Sequence, residues 1–213
     1  MRRSLSWQSF LLLLLALLPA ARSQASDCGP YTLAFYELGV LYYHDSQGQP
    51  AGIDKDLVDE LARRSGCQIK TQLDSRVRIW KRLAEQSLDL SVSGLRTDER
   101  EQFAEFMPYL KTRNHALMSK NLAARLPTPE AFLADGKRTV VVVKGYKHGR
   151  FFEQWLEGLR AQRRVVEVGS FDAALRVLRA GRADLMLTEP INLQQAKKGG
   201  AWLEQTRLLD WAP

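Results

Sequence analysis

The sequence predicts an α/β protein with two similar lobes. Strand-like runs alternate along the chain with amphipathic segments, which is typical of mainly parallel sheets flanked by helices. The alternation stops in the proline-containing stretch NLAARLPTPEAFLADGKR (121–138), which we interpret as a connector, and then starts again. A restart of this kind indicates a second lobe rather than one large sheet. We expect lobe 1 in residues 26–116 and lobe 2 in residues 117–213.

Lobe 1 is predicted to contain three strands and two longer helices. The strands are YTLAFYE (31–37), CQIKTQL (67–73) and LDLSVSG (88–94). The helices are GIDKDLVDELARRSG (52–66), which has one apolar face and ends at a glycine, and the segment 76–86. A short helix should begin near Thr97, whose hydroxyl would cap it.

Lobe 2 repeats the alternation. Four consecutive valines in TVVVVKG (139–145) predict a strand that is buried on both faces, because a half-exposed strand would alternate apolar and polar residues. The elements expected after it are a helix, a strand, a helix, a strand and a helix, at 148–160, 164–169, 170–181, 183–189 and 190–199.

The N-terminus is predicted to be a signal peptide. Arginines precede the apolar run FLLLLLALL (10–18), and small residues end at Ala25, where cleavage is expected. The run is too short to span a bilayer, which needs about 20 residues. We therefore expect an exported protein. A lipid anchor on Cys28 is an alternative, although Asp27 stands where a small residue is preferred.

Composition argues against several functions. The formal net charge of +7 falls when the signal peptide is removed, because that segment carries arginines and no acids. The remaining chain is too weakly basic to indicate nucleic-acid binding. Neither the cysteines nor the histidines have metal-ligand spacing, and no nucleotide or serine-nucleophile motif is present. We expect a monomer without metal, cofactor or nucleic acid.

The two cysteines are predicted to form a disulfide. Cys28 precedes the first strand and Cys67 precedes the second, so both lie at one sheet edge if these strands are parallel neighbours. Exported proteins commonly carry disulfides. Closing this loop would contribute about 4 kcal/mol in the chain-entropy model. Two free thiols are the alternative.

Three stretches, in the expected order, resemble bacterial extracellular solute-binding proteins of family 3. They are GQPAGIDKDLVDEL (48–61), LDLSVSGLRTDEREQFAEFMPYL (88–110) and SFDAALRVLRAGRADLMLTEP (170–190). The resemblance implies the two-lobed type II periplasmic-binding-protein fold, which closes on a small polar solute, typically an amino acid. It also implies that the C-terminal part of lobe 1 is missing, because the family normally continues beyond LLDWAP (208–213).

The resemblance also assigns the charges that an amino acid requires. Arg100 matches the family's carboxylate-binding arginine, which donates two parallel hydrogen bonds, and we expect it to face an open, solvated cleft. The Ser93 and Gly94 N–H groups and the Ser93 hydroxyl would add donors. Glu189, at the end of a strand, matches the position that binds the ligand ammonium. The alternatives are a solvated arginine and a helix-capping glutamate.

Other candidates are less firmly assigned. Glu37 ends the first strand and is the equivalent acid in lobe 1. Lys144 and Tyr146 lie in the turn of lobe 2 that faces the ligand in this family. Tyr43 would form an aromatic wall of the cleft or pack in the core. Arg76 would face the cleft mouth.

The sequence thus predicts a periplasmic binding protein without catalysis, which captures an amino acid or a similar small polar solute for an ABC permease. Two alternatives share the fold. One is a dehydratase-like enzyme in which Glu37 or Glu189 acts as general acid or base. The other is a sensor that reports its ligand to a membrane partner.

Overall fold

The computed structural model describes residues 28–194 and 201–212. The predicted signal peptide, with its cleavage position at Ala25, and residues 195–199 of the helix predicted at 190–199 lie outside these ranges. The described half of that helix begins with a 3-10 turn, Pro190–Asn192. None of the helices in the described ranges has the length and apolar character that a membrane crossing requires.

The first lobe contains a parallel sheet of three strands. Its elements are β1 (Tyr31–Phe35), β2 (Tyr43–His44), β3 (Pro50–Ala51), α1 (Ile53–Ser65), β4 (Ile69–Leu73), α2 (Arg76–Ala84) and β5 (Leu90–Ser91). The sheet order is β4-β1-β5, and β2 pairs with β3 in a separate antiparallel hairpin. The strand predicted at 88–94 is shorter than expected, and the helix expected near Thr97 is a single 3-10 turn, Arg100–Gln102.

The second lobe contains a mixed sheet of five strands. Its elements are β6 (His115–Ser119), α3 (Lys120–Arg125), α4 (Pro129–Asp135), β7 (Val140–Val143), α5 (Arg150–Ala161), β8 (Val165–Val168), α6 (Phe171–Arg179), β9 (Leu185–Thr188) and β10 (Thr206–Leu209). The order is β10-β6-β9-β7-β8. β7 runs parallel to both of its neighbours, and β6 runs antiparallel to both of its own.

The prediction of a connector at 121–138 is wrong, because this stretch forms most of α3 and all of α4. The hydroxyls of Ser119 and Thr128 cap the two helices by accepting hydrogen bonds from backbone N–H groups, each at 3.2 Å. Pro129 stands in the first turn of α4, where a missing N–H costs nothing. Phe132 is fully buried, and this packing stabilises the short helix.

The predicted disulfide between Cys28 and Cys67 is present. The cysteines lie just before β1 and β4, where the Gln68 backbone N–H donates to the Cys28 carbonyl at 2.9 Å. Because the Cys28 sulfur is bonded to Cys67, it is not available for a lipid anchor in this structure.

The four valines of β7 are divided between two apolar cores, as a strand buried on both faces requires. Val140 and Val142 pack in the core of the second lobe with residues such as Phe132. Val141 and Val143 pack in a core that also contains Ala34, Tyr36 and Ile79 of the first lobe. The two lobes are therefore in apolar contact as well as linked by the chain.

Candidate ligand-binding cleft between the lobes

A cavity of about 440 Å³ lies between the two lobes. Its volume is within the range of about 300–1,000 Å³ that is typical of small-molecule sites. The first lobe contributes the start of α2 and the segment after β5, and the second lobe contributes the turn after β7 and the residue after β9. Six of the nine predicted ligand-binding residues line the cavity: Arg76, Ser93, Gly94, Arg100, Tyr146 and Glu189.

The other three candidates lie outside this cavity. Glu37 is exposed, pairs with His44 at 3.2 Å, and lines a neighbouring cavity of about 280 Å³. Tyr43 is half-buried in the β2–β3 hairpin. The Lys144 side chain is exposed, while its backbone N–H donates to the Val168 carbonyl at 2.8 Å. The structure therefore does not bring these three side chains into the cleft.

We expected Arg100 to face an open, solvated cleft. In the structure Arg100 is buried, with 5% of its surface exposed. Its guanidinium donates to the carbonyl of Leu95 at 2.9 Å and, across the lobes, to that of Gly145 at 3.1 Å. The guanidinium carbon lies 3.7 Å from the Trp80 ring centroid, in a cation–π contact. Burial, and then repulsion from Arg76, lower the pKa of Arg100 to about 10, so it remains charged at neutral pH.

We predicted that Arg76 faces the cleft mouth. In the structure it lies in the floor of the cleft instead. It is 5% exposed, and it donates to the carbonyls of Val92 and Ser93 at 3.2 and 2.8 Å. Its guanidinium carbon lies 3.9 Å from the ring centroid of Tyr36 and 4.8 Å from that of Trp80. The two aromatic rings thus fix this cation in position.

The hydrogen-bonding groups of Ser93 are used within the protein. Its hydroxyl donates to the carboxylate of Asp54 at 2.8 Å, and its backbone N–H donates to the Tyr109 hydroxyl at 2.6 Å. Tyr109 in turn donates to Asp54 at 2.7 Å. Burial raises the pKa of Asp54, although the hydrogen bonds from Tyr109 and Ser93 counteract the shift. In this arrangement Ser93 is therefore not the ligand donor that we expected.

Gly94 packs closely against the Trp80 ring, and this packing accounts for a glycine at the position. A Cβ at this position would lie 3.0 Å from the Trp80 ring, which is tighter than an ordinary contact. The missing side chain thus allows the indole to approach the backbone beside both arginines.

Among the described residues, Glu189 is the one acidic side chain that lines the cleft. It follows β9, and its carboxylate accepts a hydrogen bond from the Asn192 amide at 2.7 Å. Burial raises the pKa of Glu189, whereas Asn192 and nearby His115 act in the opposite direction. A half-buried carboxylate in this environment gains from a neighbouring cation.

The turn after β7 brings the second lobe against the first. Gly145 has a φ of +83°, and a Cβ there would meet Val77 at 3.1 Å, so a glycine satisfies both the backbone and the packing. The Tyr146 hydroxyl donates to the Glu37 carbonyl at 3.1 Å. His148 is buried, and burial, followed by repulsion from nearby cations, lowers its pKa to about 4. It is therefore neutral at pH 7.

Sequence reasoning missed several residues that shape the site. Asp54 and Tyr109 stand inside the quoted motifs GIDKDL and PYL, yet no role was assigned to them. Tyr36, which supports Arg76, is the neighbour of Glu37 along the chain. Because successive side chains of a strand point to opposite faces, Tyr36 and Glu37 were not both expected to face the cleft, and the prediction chose Glu37. In the parts of the chain that the structure describes, no group of metal-ligating side chains is assembled.

The comparisons agree with this architecture. A family model described as bacterial extracellular solute-binding proteins, family 3, matches residues 40–162, more than half of the chain. Curated proteins give no match. Among solved structures, an ancestral arginine-binding protein bound to arginine is similar, with 18% identity, a TM-score of 0.71, and coverage of 85% of this chain and 78% of that one.

Two other solved structures have the same fold. A histidine kinase sensor domain is 14% identical, with a TM-score of 0.70 and coverage of 87% of this chain and 79% of that one. A solute receptor for L-cysteine of Neisseria gonorrhoeae is 18% identical, with a TM-score of 0.69 and coverage of 86% and 73%. The chain belongs to family 3 of the bacterial extracellular solute-binding proteins and has their two-lobed periplasmic-binding-protein fold.

Proposed function

We propose that this protein captures an amino acid or a similar small polar solute between its two lobes. The observation that supports this function best is the placement of Arg100 and Glu189. The two side chains line one cavity from opposite lobes and have opposite charges. An amino acid presents a carboxylate and an ammonium, and enclosing both requires an opposite charge for each.

Binding is coupled to closure in this proposal. Arg100 and Tyr146 make hydrogen bonds across the lobes, to Gly145 and Glu37, and these bonds break when the lobes separate. A solute that contacts Arg100 and Glu189 together has a higher affinity for the closed state than for the open one. Its binding therefore shifts the population toward closure.

The proposed location is the periplasm, and the proposed partner is an ABC permease in the inner membrane. The predicted signal peptide and the disulfide between Cys28 and Cys67 support export to an oxidising compartment. Delivery of the solute to a permease is the role that most members of the family have. No catalytic step is part of the proposal.

A thermal-shift screen tests solute capture. The purified mature protein is screened against the common amino acids, dicarboxylates and polyamines. A solute at 100 times its dissociation constant should add about 2.7 kcal/mol to the free energy of unfolding and raise the melting temperature. If none of these solutes raises the melting temperature, the proposed function is wrong.

Two further measurements address the alternatives. Mass spectrometry of the solute after long incubation should recover it unchanged, whereas a dehydrated product would identify an enzyme. Uptake of the labelled solute by host cells should fall when the gene is deleted. Unchanged uptake with a lost transcriptional response would identify a sensor.

A further inference from the structure

The cleft carries more positive charge than a zwitterion requires. Among the described residues, one acidic side chain, that of Glu189, lines the cavity. The basic side chains that line it are Arg76, Arg96, Arg100, Arg113, Lys147 and Arg150. His148 adds no charge at pH 7, because burial lowers its pKa to about 4. A single carboxylate and a single ammonium would leave most of this positive charge without a counterion.

The rim contributes part of the excess. Arg96 pairs with Glu101, and Arg113 pairs with Asp210 at 2.7 Å, so these two charges are partly neutralised. None of the ion pairs among the described residues includes Lys147 or Arg150. Two uncompensated cations thus stand on the second-lobe side of the opening, where they attract anions.

The two buried arginines are the stronger argument. Arg76 and Arg100 are each 5% exposed, and neither forms an ion pair with a carboxylate of the described residues. Each guanidinium donates to two backbone carbonyls, although it has five N–H donors. A buried charge without a counterion is costly, so an anion that enters the cleft relieves a cost at both positions.

The nearby acids form no direct ion pair with these arginines, although Arg76 is close enough to Asp54 to lower the pKa of its carboxyl. Asp54 lies behind the floor of the cleft, where its carboxylate accepts hydrogen bonds from the hydroxyls of Ser93 and Tyr109. Glu189 is hydrogen-bonded to Asn192 on the side of the second lobe. The guanidinium groups of Arg76 and Arg100 both lie against the Trp80 ring, and repulsion between them contributes to the lowered pKa of Arg100. The two cations are therefore fixed as neighbours.

Building on the proposed function, we propose that the solute carries two carboxylates, as an acidic amino acid or a dicarboxylic acid does. Arg100 binds one carboxylate and Arg76 binds the other. Glu189 binds the ammonium of an acidic amino acid. A cationic amino acid is disfavoured because its side chain would be enclosed among like charges.

Calorimetric titration of the mature protein tests this assignment with five solutes: L-aspartate, L-glutamate, succinate, L-glutamine and L-arginine. The best solute with two carboxylates should bind at least ten-fold more tightly than glutamine or arginine. Aspartate or glutamate binding more tightly than succinate would assign the ammonium to Glu189.

The outcomes separate this inference from the proposed function. If glutamine or arginine binds and the three solutes with two carboxylates do not, solute capture stands and the inference is wrong. If none of the five solutes binds but another amino acid in the thermal-shift screen does, the same conclusion applies. If no small polar solute binds at all, both the inference and the proposed function are wrong.

Variants test which of the cationic side chains bind the second carboxylate of the solute. Arg76→Gln should weaken glutamate binding by about ten-fold or more, since a hydrogen bond to a charged group is lost, and should weaken glutamine binding less. Because Arg76 is packed between Tyr36 and Trp80, this variant is first checked for a cooperative unfolding transition. An equal loss for both solutes would contradict the role of Arg76.

The rim provides a test that does not depend on the stability of the floor. Lys147→Gln and Arg150→Gln should each weaken glutamate binding about two- to five-fold and weaken glutamine binding less, because the net charge of glutamine is zero. Arg182→Gln is the control, because Arg182 is an exposed arginine of the second lobe that does not line the cleft. Rim variants that bind glutamate as tightly as this control would overturn the proposal that the cleft selects for negative charge.

Discussion

The Tyr146 hydroxyl of the second lobe donates a hydrogen bond to the main-chain carbonyl of Glu37 in the first lobe, across 3.1 Å. Arg100 makes a second contact of this kind, from the first lobe to the Gly145 carbonyl in the second. Both bonds come from side chains that also line the cleft. The residues that close the lobes are thus the residues that would meet a ligand, and a change at either should affect stability and binding together.

The first prediction concerns the disulfide. Replacing both Cys28 and Cys67 by serine should lower the free energy of unfolding by about 2–4 kcal/mol, because the unfolded chain gains entropy. Urea denaturation of the wild-type and variant proteins measures the difference. Solute affinity should not change, since the cysteines precede β1 and β4 and do not line the cleft. Alkylation of two thiols in the unreduced native protein would show that the disulfide does not form.

The second prediction concerns pH. The folded protein keeps His148 neutral down to a pKa of about 4, whereas in the unfolded chain it is protonated below about 6.5. Between these values the unfolded state binds more protons, so stability is lost as the pH falls from about 6.5 to 4. This loss is about 1.4 kcal/mol for each unit by which the pKa is lowered.

The measurement is urea denaturation from pH 4 to pH 7. His148→Gln should remove this component of the slope, because glutamine does not titrate in this range. Gln154→Asn, at an exposed position on α5 that does not titrate, is the control and should keep the wild-type slope. A His148→Gln profile that superimposes on the wild type would show that His148 is not protected from protonation.

The third prediction concerns Arg100. Arg100→Ala leaves the carbonyls of Leu95 and Gly145 without their donor, so we expect the free energy of unfolding to fall by about 1–3 kcal/mol. Arg100→Lys keeps the charge but loses the planar stacking on Trp80 and the paired donors, so affinity for a carboxylate should fall about ten-fold or more.

Denaturation without solute and calorimetry with it separate the two effects. Arg64→Lys, on the exposed end of α1, is the control and should change neither quantity. Dissociation constants within two-fold of the wild type in both Arg100 variants would remove Arg100 from the site.

The order of most strands and helices could be predicted because each carries a local signal. The valines of β7 could pack only as a doubly buried strand, and the left-handed Gly66 ends α1 as predicted. The helices within 121–138 were missed because the two prolines of this stretch were interpreted as signs of a connector, whereas proline is tolerated in a first helical turn. β10 was missed because its antiparallel partner, β6, lies almost ninety residues earlier. Pairing over such distances leaves no local pattern.

Residue positions in the cleft were more predictable than side-chain environments. Motifs were sufficient to propose Arg100 and Glu189, and both line the cavity. The burial of Arg100 depends on Trp80, which is twenty residues away, and on Gly145 in the other lobe. The hydroxyl and the backbone N–H of Ser93 donate hydrogen bonds to Asp54 and Tyr109, which come from distant segments of the chain. Such tertiary contacts decide exposure and pKa, and a short motif does not contain them.

The last prediction returns to Tyr146. Tyr146→Phe removes the hydrogen bond to the Glu37 carbonyl and keeps the ring that packs edge-on against Tyr36. One hydrogen bond contributes about 0.5–1.5 kcal/mol, so solute affinity should fall about two- to ten-fold because the closed state becomes less populated. X-ray scattering without solute should show a larger radius of gyration. Tyr31→Phe, an exposed tyrosine remote from the cleft, is the control and should bind as the wild type does. If Tyr146→Phe also binds with wild-type affinity, the hydroxyl does not contribute to closure.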